Sequence, residues 1–508
     1  MKSTSRKITS VTLVAGMLFG LCACQPAPKK ETVVSKNDGA FDSKVIQSVT
    51  PVAAGEETQE INYQESFSST DGSVAYTMDI AETQHLHNNP VVKVVPHYLT
   101  GEDAKRVASV LLEGTPFYEE EPILMPNYSK AQIQERLSRW TEYSNEEAIR
   151  TLYGDQVDAQ YVLDIVKGFI EEYTGLLATA EDKELTPCRW IPQKASYFYA
   201  ADPEEFEECK EKNFPDDNDE IHATAKKDGV EYNFYLSTRN QEDYRISSIS
   251  LNLGSGTSPV EMDSRIYRAM LCRTSAPTDE QIAKAEEQAQ DMLNRMELGE
   301  WHVDASKVEK RFVGDTVEYT IYVTAVPVID GVAAIRRPQL SNLRSDASFA
   351  SNYYLTDAEF WFSANGDLVE FNLDSPVDIE EKVNENVAVM PMDELIERAK
   401  THLSLFDQYQ YGISKESLDI DQREAGEKFI CNVNISKLET GMLRVKVPNT
   451  DESYYYVPGI VLSGTVDHVG VDTGTVYASS GEEIYLDRVI SLVALNAVDG
   501  SIIPLYNE

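Results

Sequence analysis

Hydrophobic and polar positions along this chain change period several times, and each change marks an element. Ser73 to Ile80 and Val91 to Val95 read as strands, the second closing at Pro96. Thr100 then caps a helix with Asp103 early in it and Ala104, Val107, Ala108 and Leu111 on one face before Gly114. Ser144 with Glu147 reads as the capping box of a later helix, and Val162, Ile165, Val166, Phe169 and Ile170 form the buried stripe of the next. Residues 98–178 are thus predicted to be helix-rich. From about 185 the texture turns to short β-like runs, including Tyr232 to Leu236 and Ile246 to Leu253, between acidic and polar loops.

Beyond Pro277 one order of elements occurs twice. Thr278 with Gln281 opens a helix carrying Ile282, Ala285, Ala289, Met292, Leu293 and Met296 on one side. A strand follows with Val317, Tyr319, Ile321 and Val323 on one face, and then two strands flanking Asn365-Gly366, a strong hairpin signal. After Pro391 the order repeats: a helix with Leu395, Ile396, Ala399 and Leu403 inward, the alternating strand Phe429 to Ile435, and strands flanking Asp499-Gly500. The expected fold class is α+β, a helix-rich N-terminal segment followed by antiparallel-sheet modules, the last two duplicated helix-on-sheet units. The expected divisions are a signal peptide at 1–23, a flexible tether at 24–62, a helix-rich domain at 63–180, a β-rich region at 181–275, and modules at 276–388 and 389–508.

The N-terminus adds an address. Lys2, Arg6 and Lys7 precede an apolar run from Val11 to Leu21, the layout of a secretory signal. That run is short of the roughly 20 residues needed to span a bilayer core. It ends Leu21-Cys22-Ala23-Cys24, which resembles the bacterial lipobox, and Cys24 is the expected site of lipidation because bulky Leu21 would precede Cys22. The chain is therefore expected on the extracytoplasmic face of the cell membrane, held by the lipid on Cys24 alone. The polar stretch from Gln25 to about Asn62 would give the tether a reach of roughly 35 Å.

Composition narrows the partners. The 508 residues are 42% hydrophobic, enough for sizeable cores. With 45 Lys and Arg against 85 Asp and Glu the net charge is −40, and removing the leader with its three bases takes it to −43. Such a field disfavours nucleic acid. Beyond Cys22 and Cys24 only Cys188, Cys209, Cys272 and Cys431 remain, with no CxxC pair; a Cys188–Cys209 disulfide is the local option, and a core role for Cys431 the alternative.

Catalytic signatures are missing: there is no HExxH, GxSxG or GxxxxGK[ST]. The sequence names no catalytic, cofactor-binding or metal residue. His85-Leu86-His87, near His97, has ligand spacing but abuts the turn Asn88-Asn89-Pro90, and Asp216 to Glu220 lacks the glycine and distant glutamate of an EF-hand. The candidate binding patch is Tyr454, Tyr455 and Tyr456, since tyrosine offers rigid contact area with a polar tip. Alternation along a strand would put at least one of these rings in the core.

Tyr76-Thr77-Met78-Asp79-Ile80, Val91 to Pro96 and Leu99-Thr100-Gly101-Glu102-Asp103, with the lipobox and tether, resemble uncharacterised lipoproteins of Gram-positive gut bacteria, grouped as a domain of unknown function. The duplicated tail, through hairpins such as Ala364 to Leu368 and Ala497 to Ser501, is faintly similar to PepSY-type domains and to the modules of membrane-anchored sensor-kinase regulators. The resemblance implies a location and no activity. The expected function is a non-enzymatic surface ectodomain binding an envelope protein or peptide; the alternatives are an extracellular hydrolase of peptide or glycan and a substrate-binding receptor for transport.

Overall fold

The computed structural model describes residues 46–49, 58–85, 88–120, 128–154, 157–199, 207–209, 218–241, 244–254, 261–336, 356–411, 422–423, 425–447, 453–477 and 489–503. Cys24, the signal sequence and most of the expected tether lie outside these residues. The fold is α+β, built on two large sheets dominated by antiparallel pairing.

Among the described residues the first sheet has ten strands: β4 (Phe117–Glu119), β5 (Gln193–Lys194), β6 (Asp219–Lys227), β7 (Val230–Gln241), β8 (Tyr244–Leu253), β9 (Trp301–Val313), β10 (Thr316–Ile329), β11 (Val332–Ala333), β12 (Asp357–Phe362) and β13 (Leu368–Asp374). Its order is β11-β10-β12-β13-β8-β7-β6-β4, with β9 paired to β10 and β5 to β6. Helices α1 (Gly101–Leu111) and α7 (Asp279–Met296) cover one face, where Val107, Ala108, Leu111, Ala289 and Leu293 meet Phe234, Leu251, Phe360 and Phe371. The strands alternate, so the opposite face is polar: Ile321 and Val323 enter this core while Tyr322 and Thr324 point away.

The second sheet contains β1 (Thr58–Ser68), β2 (Val74–His85), β3 (Val91–Pro96), β14 (Val377–Asn384), β15 (Phe429–Lys446), β16 (Tyr454–Gly470), β17 (Val476–Tyr477), β18 (Ile490–Asn496) and β19 (Ile502–Ile503). Its order is β1-β2-β15-β16-β18-β19, with β3 bridging β14 and β16, and β17 on β16. Helix α8 (Met392–Leu403) lies on it through Leu395, Ile396, Ala399 and Leu403. A separate helical unit of α2 (Lys130–Glu142), α3 (Glu146–Tyr153), α4 (Ala159–Leu177) and α6 (Met262–Cys272) has its own core around Trp140, Ile149, Val162, Val166 and Ile266. The short α5 (Ala195–Tyr199) precedes β6.

The duplication is present in the topology. After α7 the strands run β9-β10-β12-β13, and after α8 they run β15-β16-β18-β19, neighbour to neighbour in the same sequence. Each unit ends in a hairpin turned at Gly366 or Gly500, whose φ of 87° and 72° suit glycine. The cap expected at Thr100 forms, as a full box with Asp103, and Thr278 with Gln281 makes another, whereas the cap expected at Ser144 is supplied by Asn145, whose side chain accepts from the Ala148 amide.

Three expectations need correction. The boundaries at 180/181 and 275/276 do not divide the fold, because β4 to β13 share one sheet, and β1 to β3 join the C-terminal module instead of the helix-rich segment. The tether does not extend to 62, since β1 begins at Thr58. The tyrosine patch is not exposed. Tyr454, Tyr455 and Tyr456 are 4%, 9% and 3% exposed, because β16 is held by β15 on one edge and by β3 on the other at these positions. Tyr454 and Tyr456 pack with Val92, Val94, Val326, Ile329, Val332 and Met442, the apolar cluster that joins the two sheets, while Tyr455 enters the core on the other side.

The four downstream cysteines are unbridged, with Cys272 and Cys431 buried. Burial pushes the Cys188 thiol up to about 11 and the Cys272 thiol to about 12, so both stay protonated at neutral pH.

Candidate functional site

Where the helical unit meets the polar face of the ten-stranded sheet, two helices bring charge into a buried setting. Helix α2 carries an apolar stripe of Ile133, Leu137 and Trp140, and Arg136 stands on that stripe three residues after Ile133 and four before Trp140. Asp263 likewise stands among Met262, Ile266 and Tyr267 on α6. Both ionic groups are carried inward by helical periodicity. Arg136 is 3% exposed and Asp263 fully buried.

Burial obliges these charges to pair. Arg136 Nη2 donates to Glu231 Oε1 of β7 at 2.9 Å, and its guanidinium lies 4.0 Å over the Tyr128 ring. Arg139 Nε donates to Asp263 Oδ1 at 2.6 Å, and Trp140 Nε1 donates to the same oxygen at 3.1 Å. Burial works against both guanidinium charges, but Tyr128, Glu231 and Asp263 around Arg136, and Asp263 above all around Arg139, outweigh it and hold them above the ordinary arginine value. Burial pushes the Tyr267 hydroxyl up, so it stays a neutral phenol.

The pairing leaves a remainder. Arg136 Nε and Nη1, Arg139 Nη2 and the Tyr267 hydroxyl are buried with no hydrogen-bond partner, as is Asn233 Oδ1 on β7, next after Glu231 on the same strand face. These five atoms sit on the two helices and the strand that meet here, and similar atoms occur elsewhere among the described residues, so it is the buried charge of Arg136 and Asp263 that marks the junction as the candidate site.

Along the same polar face, adjacent strands align His222, Tyr235, Ser250, Asn372 and Glu359 in one row from β6 to β12. At its β6 end His222 Nε2 lies 2.8 Å from Glu220 Oε2, the Tyr235 hydroxyl donates to Glu220 Oε1 at 2.5 Å, and the His222 ring stacks on Phe198 at 3.8 Å. Burial pushes the Glu120 carboxyl up against the pull of His222 and Arg136, which links this end to the arginine cluster.

At the β12 end Arg336 donates to Glu359 Oε1 at 2.5 Å, to the Tyr322 hydroxyl at 2.8 Å and to Asp357 at 3.3 Å; Tyr322 also donates to Glu359. Trp361 Nε1 donates to Glu309 at 3.0 Å. Asp357, Glu359 and Glu309 are thus each engaged by a partner within the fold.

Burial pushes the Asp357 carboxyl from 3.8 up to about 6 in spite of Arg336. A raised acid binds its proton more readily folded than unfolded, so its contribution to stability is present below pH 3.8 and is lost as pH rises through about 6. In Asp357→Asn that loss is absent. The difference in melting temperature, variant minus wild type, should therefore grow across this window; a difference independent of pH would contradict the assignment.

Cys24 lies outside the described residues; Tyr454 and Tyr456 lie between the sheets and Tyr455 in the core on the other side, apart from this junction. The residues that form it were missed in the sequence, although an arginine and an aspartate on apolar helical stripes were the signal that could have found them. Among the described residues no group of three or more His, Cys, Asp and Glu could hold a metal ion.

No family model and no curated protein matches the chain. Among solved structures it is similar to an uncharacterised protein from Eubacterium rectale, at 12% identity over 61% of this chain and 84% of that one, with a TM-score of 0.28. A similarity this loose carries no argument about fold or site.

Proposed function

We propose that this chain is a non-enzymatic bacterial surface lipoprotein, anchored to the extracytoplasmic face by a lipid on Cys24, whose ectodomain binds a protein or peptide of the envelope. The observation that carries the binding role is the junction of α2, α6 and β7, where buried hydrogen-bonding groups of Arg136, Arg139, Tyr267 and Asn233 are unmet. The net charge of −40 argues against nucleic acid as the partner.

Two experiments bear on the two parts. Cys24→Ala should move the protein from the membrane to the soluble extracytoplasmic fraction; unchanged membrane retention would remove the anchor from the reading. Mature protein used as bait in an envelope extract should retain a partner that Asn233→Arg, which adds a larger, charged side chain at the junction, does not. Equal capture by the two baits would remove the junction from it.

A further inference from the structure

A sheet edge presents a row of unpaired backbone groups, and proteins blunt the edges they leave free with bulges, lysines, prolines or very short strands. Most edges here carry such devices. β4, β5, β11, β17 and β19 are two or three residues long, and β14 shifts register twice against β3. β9 shifts register against β10, carries Lys307, Lys310 and Arg311, and has its Val303 amide and Trp301 carbonyl engaged by Gln290 of α7. β1 has none of them.

This strand runs eleven residues from Thr58 to Ser68 in unbroken register with β2, its one partner among the described residues, and contains no lysine, arginine or proline. The turn fixes which way its backbone groups point. One step beyond the Ser68–Ala75 pair, the Ser69 amide donates to the Val74 carbonyl at 2.9 Å, so by alternation Phe67, Glu65, Tyr63 and Ile61 are the residues bonded to β2. The N–H and C=O of Glu60, Asn62, Gln64 and Ser66 therefore point out of the sheet, and all four residues are exposed.

Charge says which strand the edge admits. Thr58 to His85 hold Glu60, Glu65, Asp71, Asp79 and Glu82 with no lysine or arginine, and α8 beside them adds Asp393, Glu394 and Glu397 against Arg398 and Lys400. Lys400 is taken by Glu65 and Glu397, and Arg398 by Glu394. The surplus is acidic. A second copy would bring the same acids to the edge, whereas a basic strand is drawn to it.

We propose that β1 is a docking edge for an extended basic segment of another polypeptide, which joins the second sheet as an added strand. Its main chain pairs with Glu60, Asn62, Gln64 and Ser66, and a lysine or arginine opposite Glu60 meets that carboxylate on the open face. The edge belongs to the other sheet from the junction of α2, α6 and β7, so the two stand or fall separately.

The test is calorimetric titration of the purified full-length protein with two blocked heptapeptides, N-acetyl-Lys-Val-Lys-Val-Lys-Val-Lys amide and its counterpart with glutamate in place of lysine. The basic peptide should bind saturably, and less tightly as salt is added, while the acidic one should not bind. Asn62→Pro removes one outward N–H and no bond to β2, so it should melt close to wild type yet weaken the basic peptide about tenfold. Glu60→Gln, at an exposed side chain, should weaken it about two- to fivefold.

No saturable binding, equal binding of the acidic peptide, or unchanged affinity in either variant would overturn the inference. So would a large fall in the melting temperature of Asn62→Pro, which would place that N–H in the ladder with β2. Sedimentation equilibrium covers the remaining occupant: a dimer of the free protein that Asn62→Pro dissociates would give the edge to a second copy instead.

Discussion

Replacing Asp263 by alanine is expected to destabilise the protein by about 3–5 kcal/mol, the range for breaking one side of a buried ion pair. Asp263 has no exposed surface and accepts from both Arg139 and Trp140 through one oxygen. Its loss removes the shortest ionic contact of Arg139, leaving Glu135 at 3.4 Å and Glu231 at 3.8 Å, and leaves the fully buried Trp140 N–H without its acceptor. Asp263→Asn keeps an acceptor and loses the charge, so it should fall between alanine and wild type. Urea unfolding followed by Trp140-sensitive fluorescence gives the comparison; a loss under about 1 kcal/mol for alanine, the value of a surface pair, would mean that the junction is solvated.

A second large effect is expected in the hairpin of β15 and β16. Gly464 faces Ile435 across the pair, and a Cβ added there would stand 2.0 Å from the Asn434 carbonyl oxygen and 3.0 Å from the Ile435 Cα. Both obstacles are backbone in paired strands, so neither can swing aside. The register shift between Ile435 and Lys437 lies at the same place. Gly464→Ala should therefore cost about 3 kcal/mol, the upper end of ordinary overpacking. Gly168 in α4 is the contrasting case: an added Cβ meets nothing within 4 Å, and alanine there should stabilise by up to about 1 kcal/mol. Equal melting temperatures for the two variants would contradict the close approach of β15 and β16.

Helices and hairpins were legible in the sequence because their signals are local. The Thr100 and Thr278 boxes each lie within four residues, and the stripe from Leu395 to Leu403 repeats with the helical turn. Asn365-Gly366 and Asp499-Gly500 specify their turns unaided. Strand partnership is not local. β2 pairs in parallel with β15, β3 pairs antiparallel with β14 and β16, and nothing near Val74 or Val91 names partners that far along the chain.

The tyrosine triplet shows the consequence. Its alternation put at least one ring inside, but a solvated face for the others assumed that one side of β16 was free. Both sides are covered, and the covering residues on one side, Val92 and Val94 of β3 and Val326 and Ile329 of β10, come from segments distant in sequence. The candidate site went unseen for the opposite reason. Arg136 and Asp263 are ordinary residues in a chain rich in charge, and only their positions on apolar stripes were unusual.

The sequence by itself determined the α+β class, the duplicated order of helix, long strands and terminal hairpin, and a net charge of −40, because each follows from composition or from periods read over a few turns. It also supplied the expectation of a lipid on Cys24. Tertiary structure alone decided that β4 to β13 form one sheet, that the N-terminal strands close the C-terminal one, that the tyrosines join the two, and that two helices press unmet donors against β7. Those outcomes depend on which surfaces exclude water from one another, and that is settled only when segments hundreds of residues apart meet.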